Sequence, residues 1–191
     1  MAALSAFVTA CGLSGCTSED PAQEPASTTK IPGPIAVSVA APPVRENPGR
    51  APITYDPCRS LDDDAIVRAG FTPRTRERAD FVADTYSVVG CAFEDLETGR
   101  RTRGLTVDIS NVPLKEQPYF GTALEHFTIN NREAIIFQLP KASTSDSCFL
   151  AMSTTNGSAS VQISESLGFS SGDPCGQIKK VAAVYEAELP D

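Results

Sequence analysis

Apolar residues along this chain follow two spacings, one near every third or fourth residue and one at every second. Helical spacing comes first. Leu61, Ala65, Ile66 and Ala69 follow Asp56-Pro57, a residue pair suited to cap and open a helix, and Gly70 is its natural stop. Asp62, Asp63 and Asp64 fall in the early turns of that helix, where the macrodipole favours negative charge. That reading is preferred to a cation site built on the same run.

Alternation then takes over. Residues 86–93 (YSVVGCAF) and 104–110 (GLTVDIS) read as strands, the second with Leu105, Val107 and Ile109 on one face and Thr106 and Asp108 on the other. The polar stretch 94–103, which contains Thr98-Gly99, is expected to join them as a hairpin loop. Residues 133–139 (EAIIFQL) predict a third strand. Residues 148–153 (CFLAMS) and 158–164 (SASVQIS) predict a hairpin that turns on Asn156-Gly157. Asn156-Gly157-Ser158 also fits a glycosylation sequon, and the turn is preferred. Asp173-Pro174 opens a closing helix in which Ile178, Val181, Ala182, Tyr185 and Leu189 repeat at helical spacing before Pro190. The expected class is α+β: an antiparallel sheet of four to five strands with an N-terminal and a C-terminal helix over one face.

Two segments before Asp56 have a different character. Residues 2–13 are apolar and small, and Leu13-Ser14-Gly15-Cys16 follows, an apolar residue and two small ones before a cysteine. This resembles a bacterial lipobox, in which the thiol is alkylated by diacylglycerol and cleavage makes Cys16 the first mature residue. Val8-Thr9-Ala10-Cys11 fits the same pattern, but Cys11 leaves too short an apolar region before it. No basic residue precedes the apolar stretch, as a start codon placed too far downstream would explain. From Thr17 to about Tyr55 lie eight of the fifteen prolines, with much Ala, Ser, Thr and Glu. That composition predicts a disordered, polyproline-like tether reaching on the order of 100 Å. Ile35 to Ala40 is taken as part of it, an extra edge strand being the alternative. The expected division is a signal peptide over 1–15, a lipidated cysteine and tether over 16–55, and a globular domain over 56–191.

Four cysteines remain: Cys58, Cys91, Cys148 and Cys175. Export makes disulfides their expected state, and four cysteines allow three pairings. Cys58 with Cys91 and Cys148 with Cys175 is the chosen pairing, since each bridge then fastens a helix start to a strand, worth roughly 3–4 kcal/mol in the chain-entropy model. Wide spacings without a CxxC pair argue against zinc. The series Asp56-Pro57-Cys58, Ala69-Gly70, Gly90-Cys91-Ala92-Phe93, Cys148, Asp173-Pro174-Cys175 and Leu189-Pro190 resembles the DUF3558 family, actinobacterial lipoproteins of unknown function, over about residues 55–190. Phe93 stands where that family often has Trp. The resemblance implies the fold and an extracytoplasmic, membrane-anchored location, and no activity.

Chemistry is sparse. The formal charge is −8, which argues against nucleic acid as a partner. No dinucleotide or phosphate-binding motif occurs, and no cofactor or metal is expected. His126 is the single histidine, and no Gly-x-Ser-x-Gly sequence accompanies it. Glu94, Asp95 and Glu97 at the hairpin mouth are the carboxylates a small envelope hydrolase would use. Arg74, Arg76, Arg78, Arg100, Arg101 and Arg103 lie among as many acids, which reads as a mixed solvated surface in preference to an anion patch. The sequence favours a non-enzymatic binding or accessory module held at the membrane by a lipid anchor, facing an envelope protein or ligand. A carboxylate hydrolase is the alternative.

Overall fold

Capping chemistry divides the first predicted helix into two. The computed structural model describes residues 33–43, 46–117, 122–138, 147–166 and 173–190. Asp56 accepts from Cys58 N at 3.0 Å and opens α1 (Pro57–Ser60). Asp62 accepts from Ala65 N at 2.7 Å and opens α2 (Asp63–Ala69), which ends at Gly70. A short acid that bonds the backbone three residues on offers it an alternative to continuing a helix, and the break turns Leu61 into the core. The apolar spacing alone does not reveal it, because Leu61 and Ala65 stand four apart with or without an interruption.

The strands are β1 (Thr72–Arg78), β2 (Phe81–Val82), β3 (Ser87–Glu97), β4 (Arg100–Ser110), β5 (Thr122–Ile129), β6 (Arg132–Gln138), β7 (Ser147–Thr154) and β8 (Gly157–Glu165), and α3 (Pro174–Glu186) follows. All belong to one antiparallel sheet in the order β1-β3-β4-β8-β7-β6-β5, with β2 paired to β3. Eight strands replace the expected four or five. The additional ones are β1 (TPRTRER), the two-residue β2 (FV) and β5 (TALEHFTI), of which β1 is charged. Charged edge strands carry little apolar alternation because one flank meets water, and the charge discourages pairing with another chain.

Two hairpins differ in detail from expectation. The β3–β4 loop is Thr98-Gly99 alone, both at positive φ, so 94–97 and 100–103 are strand and not loop. In the β7–β8 hairpin, Thr154 pairs with Gly157, which leaves Thr155-Asn156 as the loop. Gly157 sits in the strand, where a Cβ would lie 1.9 Å from the Ser110 carbonyl oxygen. It serves close approach between β8 and the end of β4.

One face of the sheet is the core. Leu105, Val107, Ile109, Leu150, Met152, Val161 and Ile163 are buried there, and α3 closes over β7 and β8 with Ile178, Val181, Ala182 and Tyr185. Each such side chain contributes roughly 1.5–3 kcal/mol by leaving water. The disulfides are Cys58–Cys91, joining α1 to β3, and Cys148–Cys175, joining β7 to α3, at sequence separations of 33 and 27. Both are the expected pairs.

Packing begins before Asp56, which corrects the extent of the tether. Ile35, Val37 and Val39 alternate with exposed neighbours, and Val39, Ile53 and Tyr55 pack on the core. Asp63 N donates to the Pro34 carbonyl, and Ala36 N donates to the Asp63 carboxylate at 2.8 Å. Asn47 is buried: its Nδ2 donates to the carbonyls of Ala83 and Asp84, and its Oδ1 accepts from Ser87 Oγ at 2.7 Å and Asn111 Nδ2 at 2.9 Å. Prolines lower the ordering cost, because their φ is already set in the unfolded chain. The signal peptide, Cys11, Cys16 and the start of the tether lie outside the described residues.

Candidate functional site

The face of the sheet opposite the helices carries a recess. Strand register builds it in rows. Gly90 on β3, Asp108 on β4, Ser160 on β8 and Ala151 on β7 stand side by side, so small residues surround one carboxyl. On one side of this row Phe81 of β2 pairs with Val88, which in turn pairs with Ser110. On the other lies the row Thr106, Gln162, Phe149 and Phe137. The result is a concavity of about 320 Å³, floored by Asp108, Ser160 and Gln162 and bordered by Tyr86, Val112 and Gln117. Two ring pairs form walls: Phe81 with Tyr86 at 5.6 Å between centroids, and Phe137 stacked on Phe149 at 5.2 Å.

Asp108 is the chemically distinctive member. Burial raises its pKa from the usual carboxylate range to about 7, and a hydrogen bond with Ser160 opposes that rise only in part. Its backbone is held from behind, where Tyr185 Oη donates to the Asp108 carbonyl at 3.1 Å. Beside it, Gly90 admits the close passage of the Ala79-Asp80 backbone: a Cβ there would meet the Ala79 carbonyl oxygen at 2.6 Å, and Gly90 N donates to Asp80 Oδ1. A second concavity of about 560 Å³ lies between residues 42–53 and the start of β3. Its buried polar groups, Asn47, Ser87 and Asn111, already bond one another, so they present little to a ligand.

The residues singled out by sequence lie elsewhere. His126 is exposed on β5, in the same cross-strand row as Asp108 but four strands away, roughly 19 Å at strand spacing. Glu94 and Asp95 are strand residues and not a loop mouth. Glu94 pairs with Arg101 at 3.4 Å and Asp95 with Arg103 at 2.6 Å. Most of the arginines are similarly held. Arg76 is buried against Asp63, the Cys58 carbonyl and the Phe93 ring, while Arg78 bridges Asp56 and Asp80. Among the described residues no group of three His, Cys, Asp or Glu side chains is placed to hold a metal. No helix among them is long and apolar enough to cross a membrane. Residues 168–172 (GFSSG) lie outside the described residues.

A family model described as protein of unknown function (DUF3558) matches residues 11–188. The chain belongs to the DUF3558 family. The match reaches well before residue 55, where the resemblance drawn from the cysteine contexts began, and so takes in the packed segment before α1. No curated protein matches this DUF3558 chain, and no solved structure does.

Sequence reading missed the recess. One signal was present: an Asp inside an alternating strand, on the polar side of GLTVDIS. The aromatic walls left no comparable trace, since Phe81, Tyr86, Phe137 and Phe149 come from four strands or loops and meet only through register.

Proposed function

We propose that this DUF3558 protein is a lipid-anchored, extracytoplasmic binding module that holds a small ligand in the recess on the open face of its sheet. The observation that carries the reading is the recess itself: a concavity of about 320 Å³ with aromatic walls and a few convergent polar groups, the composition ordinary to ligand sites. The small residues Gly90, Ser160 and Ala151 keep the sheet floor low around Asp108. Support for binding over carboxylate hydrolysis comes from the placement of the acids. Asp108 is the one carboxyl among the described lining residues, and Glu94 and Asp95 are paired with arginine. The two-carboxylate arrangement of glycoside hydrolysis therefore lacks its second member there. The anchoring half rests on the apolar stretch 2–13 and Leu13-Ser14-Gly15-Cys16.

Two measurements test the two halves. Intact mass of membrane-extracted protein should show residues 1–15 removed and Cys16 acylated; an unmodified Cys16 with residues 1–15 retained would overturn anchoring. For the recess, an NMR screen of small compounds on the chain carrying Cys16→Ser should give shifts clustered at Asp108, Phe149, Ser160 and Gln162. Hits that scatter over the surface, or none, would defeat the binding reading.

A further inference from the structure

The charge pattern of the recess narrows what it takes, given the binding reading above. Its described lining contains no Lys, Arg or His and one carboxyl. Among those described residues an anion would meet no cation and an acid already in place. Several acids elsewhere have cations: Asp56 and Asp80 share Arg78, Asp63 holds Arg76, and Asp95 holds Arg103, whereas Glu165 on β8 is buried without a partner of its own among the described residues. Asp108 has Ser160 and, among the described residues, no cationic partner. Asp108 is half-buried on the sheet face, and a carboxylate partly withdrawn from water gains from a positive charge brought to it. Ring faces at the same site favour a cation further, because a positive group over an aromatic face is attracted by the ring quadrupole. With a formal charge of −8, the whole molecule also draws cations towards it.

We propose that the recess takes a small organic ammonium ion with an apolar or aromatic body, its nitrogen set against Asp108 and its body lodged between the Phe81–Tyr86 and Phe137–Phe149 ring pairs. Ser160 and Gln162 on the floor supply hydrogen bonds, while Gln117 at the border is held by the Val112 carbonyl and Ser158. Binding follows the ionisation of Asp108. The other titratable side chain in the lining is Tyr86. On neighbouring elements the groups nearest in arrangement are Tyr185 of α3, which holds the Asp108 carbonyl from the opposite face, and Asp80, which reaches Gly90 N and is held by Arg78.

The test uses three phenyl probes of similar size, phenethylammonium, 2-phenylethanol and phenylacetate, together with benzyltrimethylammonium, titrated into the chain carrying Cys16→Ser. Affinity is read by calorimetry, and the Asp108 carboxyl carbon is followed by NMR. At pH 8 at least one of the two ammonium probes should bind tenfold or more tightly than 2-phenylethanol, and phenylacetate should not bind. That preference should vanish at pH 5 and in Asp108→Asn, and the bound cation should move the Asp108 titration to lower pH. Asp108→Asn must keep the wild-type circular dichroism; if it does not fold, the cation-induced shift of the Asp108 titration in the wild-type chain decides alone. Equal binding of the ammonium probes and 2-phenylethanol would overturn the cation assignment and leave the recess as a site for neutral ligands. If none of the probes binds, the assignment and the binding reading fall together.

Discussion

Asp108 shows how one residue sets both a cost and a capacity. Its pKa stands near 7 in the folded chain because burial disfavours the charged form, whereas in the unfolded chain it titrates in the ordinary carboxylate range, about 4. A group whose folded pKa is raised stabilises the fold below its unfolded pKa, and that contribution is lost as pH rises towards the folded value. Asp108 therefore favours folding at about pH 4 and opposes it above about pH 7. Asp108→Asn removes this slope: melting temperatures of wild type and variant, measured from pH 4 to 8, should diverge in the variant's favour as pH rises. A difference that stays flat across that window would contradict the raised folded-state pKa of the carboxyl. Sequence reading placed Asp108 on the polar face of its strand, which is correct, but the alternation pattern equates polar with solvated. Ser160 and the rings beside it break that equation, and they are contributed by other strands.

At the scale of elements, pattern located the inner strands and misjudged their ends. GLTVDIS alternates cleanly because one of its faces lies in the core, whereas EAIIFQL and CFLAMS run apolar because Phe137 and Phe149 line the recess on the other face. Strand β1 escapes the pattern because its outer flank is unpaired and its residues are largely charged or polar, and β5 because its outer flank is unpaired and its apolar residues do not alternate regularly. Asn156-Gly157 marked a real hairpin, displaced by one residue, since Gly157 is required by Ser110 on β4 and not by the turn. Gly157→Ala drives a methyl into that carbonyl at 1.9 Å, and urea denaturation should show a loss on the order of 3 kcal/mol. The same approach at a turn position would have been tolerated with a smaller effect. Asn47 tests the packed segment before α1. Asn47→Ala leaves the Ser87 hydroxyl, the Asn111 amide and two carbonyls short of partners. A loss of about 2 kcal/mol is expected by chemical denaturation, with faster amide exchange at Ser87 and Asn111. An unchanged midpoint would return residues 46–55 to the status of a linker.

For the molecule as a whole, two bridges tie helix starts to strands in different parts of the sheet. Cys58–Cys91 closes 33 residues and Cys148–Cys175 closes 27, so each limits the unfolded chain by roughly 3–4 kcal/mol. Replacing the pair Cys148 and Cys175 by alanine should lower the denaturation free energy by about that amount. The double-bridge deletion should approach the entire stability of a domain this size. If either deletion leaves the midpoint unchanged, the bridge is not limiting the unfolded ensemble. The recess also belongs to this scale, since β2, β3, β4, β6, β7 and β8 all contribute to it.

The sequence by itself determined the local and covalent features of this protein: the caps at Asp56 and Asp173, the inner strands, the use of four cysteines as disulfides and the family. These follow from interactions between residues close along the chain, or from cysteines, whose chemistry restricts their partners. Tertiary structure alone decided the sheet order, the two edge strands, which of the three disulfide pairings forms, the packing of residues 33–43 and 46–55, and the recess around Asp108. Each of those depends on which strands lie side by side. That arrangement sets dielectric, close approach and ring placement through contacts between residues far apart in sequence, and no spacing within one segment records them.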